Sequence, residues 1–461
     1  MKIRRASRLS TRLAYGVGQA AEGIKVAALG GLLFFYYHQV LGLSSLATAV
    51  ALFFGMLGDT IGGIVAGSIS DRLKHRRGQR HPLMLAATLP TCLALVALFW
   101  PPVDRSSETL LFFWLAGWVL VCRVGMTFFR VPHFALGADM ADTPNAKTTN
   151  VAFRQFFHVL GGILVFWIAR ELMVPTPEFP IAQTNPEHYP LLSLICAVSA
   201  LLAMLIATVG TYGVALATVK PNESSDAGHG SLTRLAIDFK HTLRPRAFRQ
   251  LVICIGAFAI AAGIQRATEL YLASYFWGLT TSRAMLLPIA TLVGSLVGIV
   301  FWTLISRRIE KRSCYIGGVL TYAIVAIALP AANVLGVLPP TEADAFAMIV
   351  IGGTVLAGLL AAAPTVLVGA MIADVIDADE RNSGRRRAAS FFATAAFVAK
   401  PALALSLLLA GALLAGAGVS SDEPPSQNVS TILGLAVGST ITFFAVVAAL
   451  LMRNFNPNAS V

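Results

Sequence analysis

The residues of this chain that could do chemistry are charged side chains set inside long apolar runs. They are Glu22, Lys25, Asp59, Arg123, Arg130, Arg154, Arg266, Glu269 and Lys400. A charge at the centre of a hydrocarbon layer costs about 2.5–3.5 kcal/mol on insertion scales, so such residues pair, face water or bind a solute. Glu22 and Lys25 are three apart, as are Arg266 and Glu269, so each pair shares one face of a helix. Arg123 and Arg130, seven apart, also fall on one face. Six cations stand against three acids, and Arg130 offers a donor fork of the shape that carboxylate, sulfonate and phosphate accept. Two readings follow. In one, the charges line a water-filled cavity at the midplane between two halves and meet an anionic solute. In the other, they neutralise one another and only lock helices together. His158, four residues after Arg154, either shares that face or packs in the interior.

Membrane-spanning helices must position these residues. The chain has 461 residues, 56% hydrophobic and 13% charged, with a mean hydropathy of +0.72. Soluble chains carry about a quarter charged residues, which excludes that class. Apolar stretches near the 20 residues needed to cross a bilayer predict twelve spans. The first six are Leu13–Tyr37, Leu46–Ser68, Leu83–Trp100, Thr109–Phe129, Val151–Met173 and Leu191–Ala217. The second six are Leu251–Trp277, Ala284–Ile305, Tyr315–Ala332, Ala345–Ile372, Ala388–Ala415 and Thr431–Met452. The net charge of +12 lies in short basic clusters on one side of these spans, such as Arg72 to Arg80 and Arg307 to Arg312. That asymmetry places both termini in the cytoplasm and argues against a nucleic-acid partner. Five cysteines in or beside apolar spans read as small core residues, with no metal-like spacing. The span after the basic stretch Met1 to Arg12 is too long for a signal-peptide core and stays as the first helix.

An internal repeat divides the chain. Asp139 and Asp142 map onto Asp374 and Asp377 with one offset of 235, and the same offset takes Phe156-Phe157 to Phe391-Phe392. The fold expected is therefore all-α: two pseudo-symmetric six-helix bundles over residues 1–217 and 251–461. They are joined by a polar connection, 218–250, that carries a short helix on the membrane surface from Leu232 to Lys240.

Taken in order, the motifs resemble the glycoside–pentoside–hexuronide:cation symporters, the melibiose-carrier branch of the major facilitator superfamily. The resemblance rests on Leu13-Ala14-Tyr15-Gly16-Val17-Gly18, Tyr36-Tyr37-His38-Gln39-Val40-Leu41-Gly42-Leu43-Ser44, Asp59, and Asp71-Arg72 through Pro82. It continues through Val131-Pro132-His133-Phe134-Ala135-Leu136, Arg154, Met371-Ile372-Ala373-Asp374, and Gly384-Arg385-Arg386 to Lys400. It implies a transporter, not an enzyme, that moves a small solute with a cation by alternating access. No cofactor beyond the coupling H⁺ or Na⁺ and no metal centre is implied, nor any partner beyond solute and bilayer. The setting is a bacterial inner membrane, and this fold normally works as a monomer.

The chain departs from that pattern at its site. The second cation-binding acid of the family is Gly63 here, the aromatic residue before the first is Gly58, and the first-helix sugar-binding acid is Gly23. The fourth-helix acid is Arg130, and the tryptophans beside the sugar fall at Phe134 and Thr365. The expected substrate-binding residues are Glu22, Lys25, Arg130, Arg154, Arg266, Glu269 and Lys400, reading an anionic sugar-type solute. Asp59, then Glu22, are the expected coupling residues: a single acid makes a poor sodium cage, although Thr60 and backbone carbonyls could complete one. Asp71, Arg72, Asp139, Asp142, Asp374 and Asp377 are expected to form cytoplasmic charge networks that latch one conformation, or else to be solvated loop charges. A lysophospholipid carrier on the same fold is the rival within transporters. A membrane enzyme or a non-transporting sensor is the rival outside them.

Overall fold

The computed structural model describes residues 9–77, 80–101, 107–140, 143–218, 241–383, 387–420 and 425–456. Among them twelve helices are long and apolar enough to span a membrane. In the first unit they are α1 (Leu9–Val40), α2 (Ser45–Arg77), α3 (His81–Phe99), α4 (Glu108–Asp139), α5 (Pro144–Leu172) and α6 (His188–Thr218). In the second they are α7 (Arg246–Phe276), α8 (Thr281–Ile305), α9 (Lys311–Val334), α10 (Asp344–Ser383), α11 (Ala388–Ala417) and α12 (Gln427–Met452). All twelve expected spans are present. Helices are what such sequences must form, because hydrocarbon leaves backbone N–H and C=O groups no partner but each other.

The chain divides into two compact units at His229–Gly230. In the first, α1 packs on α5 and α6, and α4 packs on α2 and α3. In the second, α7 packs on α11 and α12, and α10 packs on α8 and α9. The surface helix expected from Leu232 to Lys240 lies outside the described residues.

Small residues set the closest approaches. A Cβ at Gly23 would stand 1.9 Å from the His158 carbonyl oxygen, and one at Gly161 would stand 2.2 Å from that of Ala20, so α1 and α5 meet backbone to backbone. In the second unit, Gly294 and Gly358 do the same for α8 and α10, at 2.1 Å from the Val355 oxygen and 2.2 Å from the Thr291 oxygen. Lipid tails are as apolar as leucine, so this van der Waals fit is what holds such helices together.

The repeat is deeper than the acidic pairs indicated. α1 and α7 both end in a π-helical turn, Tyr36–Val40 and Leu272–Phe276. Each is followed by a glycine at positive φ, Gly42 (80°) and Gly278 (58°), where other residues are strained. The closing hydrogen bonds repeat as well: Leu41 N to Tyr36 O and Leu43 N to Tyr37 O at one end, Trp277 N to Leu272 O and Leu279 N to Ala273 O at the other. The sequence signal, Leu41-Gly42-Leu43-Ser44 against Trp277-Gly278-Leu279-Thr280, is short but in register.

One expectation is corrected. The acidic positions, expected as loop charges, stand in helices: α2 runs through Asp71 and Arg72 to Arg77, Asp139 is the last residue of α4, and Asp374 and Asp377 lie within α10. No Gly or Pro interrupts Asp71 to Arg77, and its Leu, Lys and Arg residues favour continued helix over a turn.

Candidate functional site

The first unit holds a charge cluster built by α1, α2 and α4. Residues Arg123, Thr127, Arg130 and Phe134 recur at helical spacing and form one stripe of α4. Across from it, α1 presents Gln19, Glu22 and Lys25, and α2 presents Asp59. Lys25 Nζ donates to Glu22 Oε1 at 2.9 Å. Arg130 spans both acids, with Nη1 3.3 Å from Glu22 Oε1 and Nη2 3.6 Å from Asp59 Oδ1. The Thr127 hydroxyl donates to Asp59 Oδ1. The Glu22 and Lys25 side chains are only 7% and 6% exposed, whereas Arg130 keeps 23%, so Arg130 is the more reachable side chain of the cluster.

Three cations (Lys25, Arg123, Arg130) thus meet two acids (Glu22, Asp59). Hydrogen-bonding capacity is left over: Arg123 Nε and Gln19 Nε2 are buried donors and Glu22 Oε2 a buried acceptor, each without a protein partner. A buried unmatched polar group is costly, so the cluster is suited to a polar ligand or water. The expected self-neutralised pair exists at Glu22–Lys25, but it is one part of a larger network. His158 on α5 acts electrostatically on Glu22.

Arg154 on α5 lies with its guanidinium carbon 3.8 Å from the centre of the Phe134 ring, and Phe134 is itself 37% exposed. A cation over an aromatic face is held by the ring quadrupole while its N–H groups stay available. The adjacent His133 is buried; its Nε2 lies 2.9 Å from the Tyr15 carbonyl oxygen and its ring stacks on Tyr15 at 4.4 Å. Gly23, where the resembling carriers place an acid, has no room for any side chain. The acid of this chain stands one position earlier, at Glu22.

In the second unit the expected Arg266–Glu269 pair does not close. Arg266 is exposed, and Glu269 Oε1 instead accepts from the Thr291 hydroxyl of α8 at 3.0 Å. Spacing puts both on one face, but the hydroxyl across the helix contact is the group that meets the carboxylate. Glu269 lines a cavity of about 100 Å³, together with Gln265, Tyr322, Thr354, Trp277 and otherwise apolar side chains. The Tyr322 hydroxyl donates to Gln265 Oε1. Neither Arg266 nor Lys400 is on the wall of this cavity; Lys400 is half-buried on α11 beside Pro401.

The acids at the helix ends form ion pairs inside their own units. Arg80 Nε lies 3.4 Å from Asp139 Oδ2 and Arg80 Nη1 2.8 Å from Ser70 Oγ. Lys311 Nζ lies 2.7 Å from Asp374 Oδ2. The start of the third helix of each unit thus pairs with the far part of the fourth, as the repeat requires. Asp379, which sequence reasoning passed over, binds Arg387 through both oxygens at 2.8 and 2.9 Å. Asp377 offers its carbonyl to Arg381 at 3.2 Å. Asp142 and the side chains of Asp71 and Arg72 lie outside the described residues.

Residues 14–458 match the family model of MFS/sugar transport proteins. The chain belongs to this family. Its relatives include the putative glycoside/cation symporter YagG of Escherichia coli, 24% identical over 92% of this chain and 87% of the relative. The isoprimeverose transporter of Lactiplantibacillus pentosus is 22% identical, covering 91% and 82%. Among solved structures, a D-xylose–proton symporter superposes with a TM-score of 0.66 at 18% identity, covering 97% of this chain and 98% of that one. The MFS protein described here is accordingly an integral, multi-pass membrane transporter of the symporter type with the major facilitator fold.

Proposed function

We propose that this transporter moves an anionic, sugar-type solute together with a proton across a bacterial inner membrane, with both termini in the cytoplasm. The observation that carries the reading is Arg130, a single guanidinium shared by Glu22 and Asp59 in a cluster where cations outnumber acids. A sodium ion has little to gain beside an arginine that already fills the position between two carboxylates. An anionic solute has much to gain: the exposed edge of Arg130, the orphaned Arg123 Nε and, on the same unit, Arg154 over Phe134. The basic clusters on one side of the spans support the orientation.

Coupling follows from competition for Arg130. When a carboxylate solute takes that guanidinium, Asp59 or Glu22 loses its counterion in a low-dielectric setting, where a bare carboxylate is unfavourable. It then takes up a proton. Solute and proton bind as a neutral pair, and by linkage each strengthens the other. Affinity for the anion therefore rises as pH falls.

The test is thermal stabilisation of the purified protein by neutral glycosides, uronates, sulfonated sugars and lysophospholipids, each with and without sodium at two pH values. The reading requires stabilisation by anionic sugars that is greater at the lower pH, indifferent to sodium and absent in Arg130→Ala. Stabilisation by neutral glycosides alone, undiminished in Arg130→Ala, overturns the solute assignment. A strict sodium requirement overturns the coupling assignment. Stabilisation by lysophospholipids alone selects the amphiphile carrier instead.

A further inference from the structure

Glu269 differs from Glu22 and Asp59 in having no counterion. Among the described residues no Lys, Arg or His lies within ion-pair distance of it, and its one side-chain hydrogen bond comes from Thr291. Its carboxylate borders the cavity inside the second unit, whose walls come from α7, α8, α9, α10 and α12 together with Trp277 just after α7. The ionisable groups acting on it are few. Arg266, on the same helix, influences it electrostatically without touching it. Tyr322, on α9, is a neighbour whose hydroxyl is turned to Gln265. The parts of α8, α10 and α12 that line the cavity or meet Glu269 bring no ionisable residue; their polar groups are Thr291 and Thr354.

A bare carboxylate among apolar walls at membrane depth is costly, and it is relieved by a proton or by a bound cation. A metal ion would need several oxygens turned towards it. Here one side-chain oxygen, that of Thr291, is held against the carboxylate, while Gln265 Oε1 accepts from Tyr322 and Thr354 donates to the Val350 carbonyl at 2.6 Å, each turned to a partner other than Glu269. A proton needs only the one carboxylate.

We propose that Glu269 is a second proton-binding site, held inside the C-terminal bundle and distinct from the Glu22–Asp59–Arg130 cluster. Three residues further on, α7 widens into the π-helical turn Leu272–Phe276, with Leu272 on the cavity wall. Such turns are rare and frequently lie at functional sites. Protonation of Glu269 is thereby placed where it can act on the π-helical end of α7. The inference does not depend on the charge of the transported solute.

The test is infrared difference spectroscopy on the full-length protein in lipid, stepping from alkaline to acidic pH with no solute present. The carbonyl stretch of a protonated carboxylic acid, shifted in D₂O, is expected in the wild type and in Asp59→Asn. It is expected to be lost in Glu269→Gln, and to be present but moved in frequency in Thr291→Val. The Thr291 variant keeps the test decisive should the Glu269 variant not fold. A band unchanged in both variants, or one removed by Asp59→Asn instead, overturns the proposal. A band displaced by sodium chloride at constant pH would assign the site to a metal cation and overturn it as well.

Discussion

At the scale of single residues, Arg130 is the centre of the account. Truncating it leaves two buried acids to share Lys25 and Arg123. Breaking a buried pair from one side typically costs about 3–5 kcal/mol, since a charge is left uncompensated. Arg130→Ala is expected to lower the melting temperature and abolish stabilisation by anions. Arg130→Lys keeps the charge but cannot bridge Glu22 and Asp59, so it should restore most of the stability and little of the binding. On the proposed coupling, Asp59→Asn removes the first of the two expected proton carriers, and transport assays in proteoliposomes should show solute movement that follows an imposed proton gradient less closely than in the wild type. The sequence already marked Glu22, Asp59 and Arg130, because charges inside apolar runs are conspicuous. Thr127 and Gln19 escaped notice because neutral polar residues are common in membrane helices. The signal that could have found Thr127 is its place in the stripe Arg123, Thr127, Arg130, Phe134. The partner of Glu269 was not legible at all, since Thr291 lies on a different helix and a sequence shows only neighbours along one.

At the scale of helices, the close contacts of α1 with α5 and of α8 with α10 decide what each site can contain. Gly23→Asp would restore the acid of the resembling carriers in type. Its Cβ would overlap the His158 carbonyl, a backbone atom that cannot move aside without parting the helices. Overpacking costs about 1–3 kcal/mol and sometimes more. Size-exclusion profiles and melting curves should therefore show a destabilised protein, with no gain of galactoside binding. Gly358→Val should behave alike and also disturb Glu269, because its Cβ meets the carbonyl of Thr291. The spans themselves were readable from hydropathy to within a turn at most ends. Their extensions were not: α2, α4 and α10 continue as helix where charges suggested loops, because hydropathy reports membrane depth rather than helix end.

At the scale of the whole molecule, each unit carries its own polar centre and its own end-of-helix ion pairs. Lys311 and Asp374 are 37% and 39% exposed, and pairs of that kind contribute about 0–1 kcal/mol. Asp379 is 10% exposed and held through both oxygens by Arg387, which makes its bond the stronger, at about 1.5–3 kcal/mol for a charged partner. Arg387→Ala should lower the melting temperature clearly more than Lys311→Ala. Equal effects would mean that the two pairs hold the C-terminal part of α10 alike. The internal repeat, visible in sequence as two acidic pairs, proved to extend to the hydrogen bonds that close α1 and α7. Its two polar centres nevertheless diverge: the first is rich in cations, and the second has a carboxylate with none in contact.

The central claim is that the first unit reads the charge of its solute through Arg130. The most direct measurement is equilibrium binding of a hexuronate and of its neutral parent hexose to the wild type and to Arg130→Lys. The uronate is expected to bind the wild type at least about tenfold more tightly than the hexose, a difference of about 1.4 kcal/mol, and this preference is expected to collapse in the variant. Equal affinities in the wild type, or a preference that survives in Arg130→Lys, would contradict it.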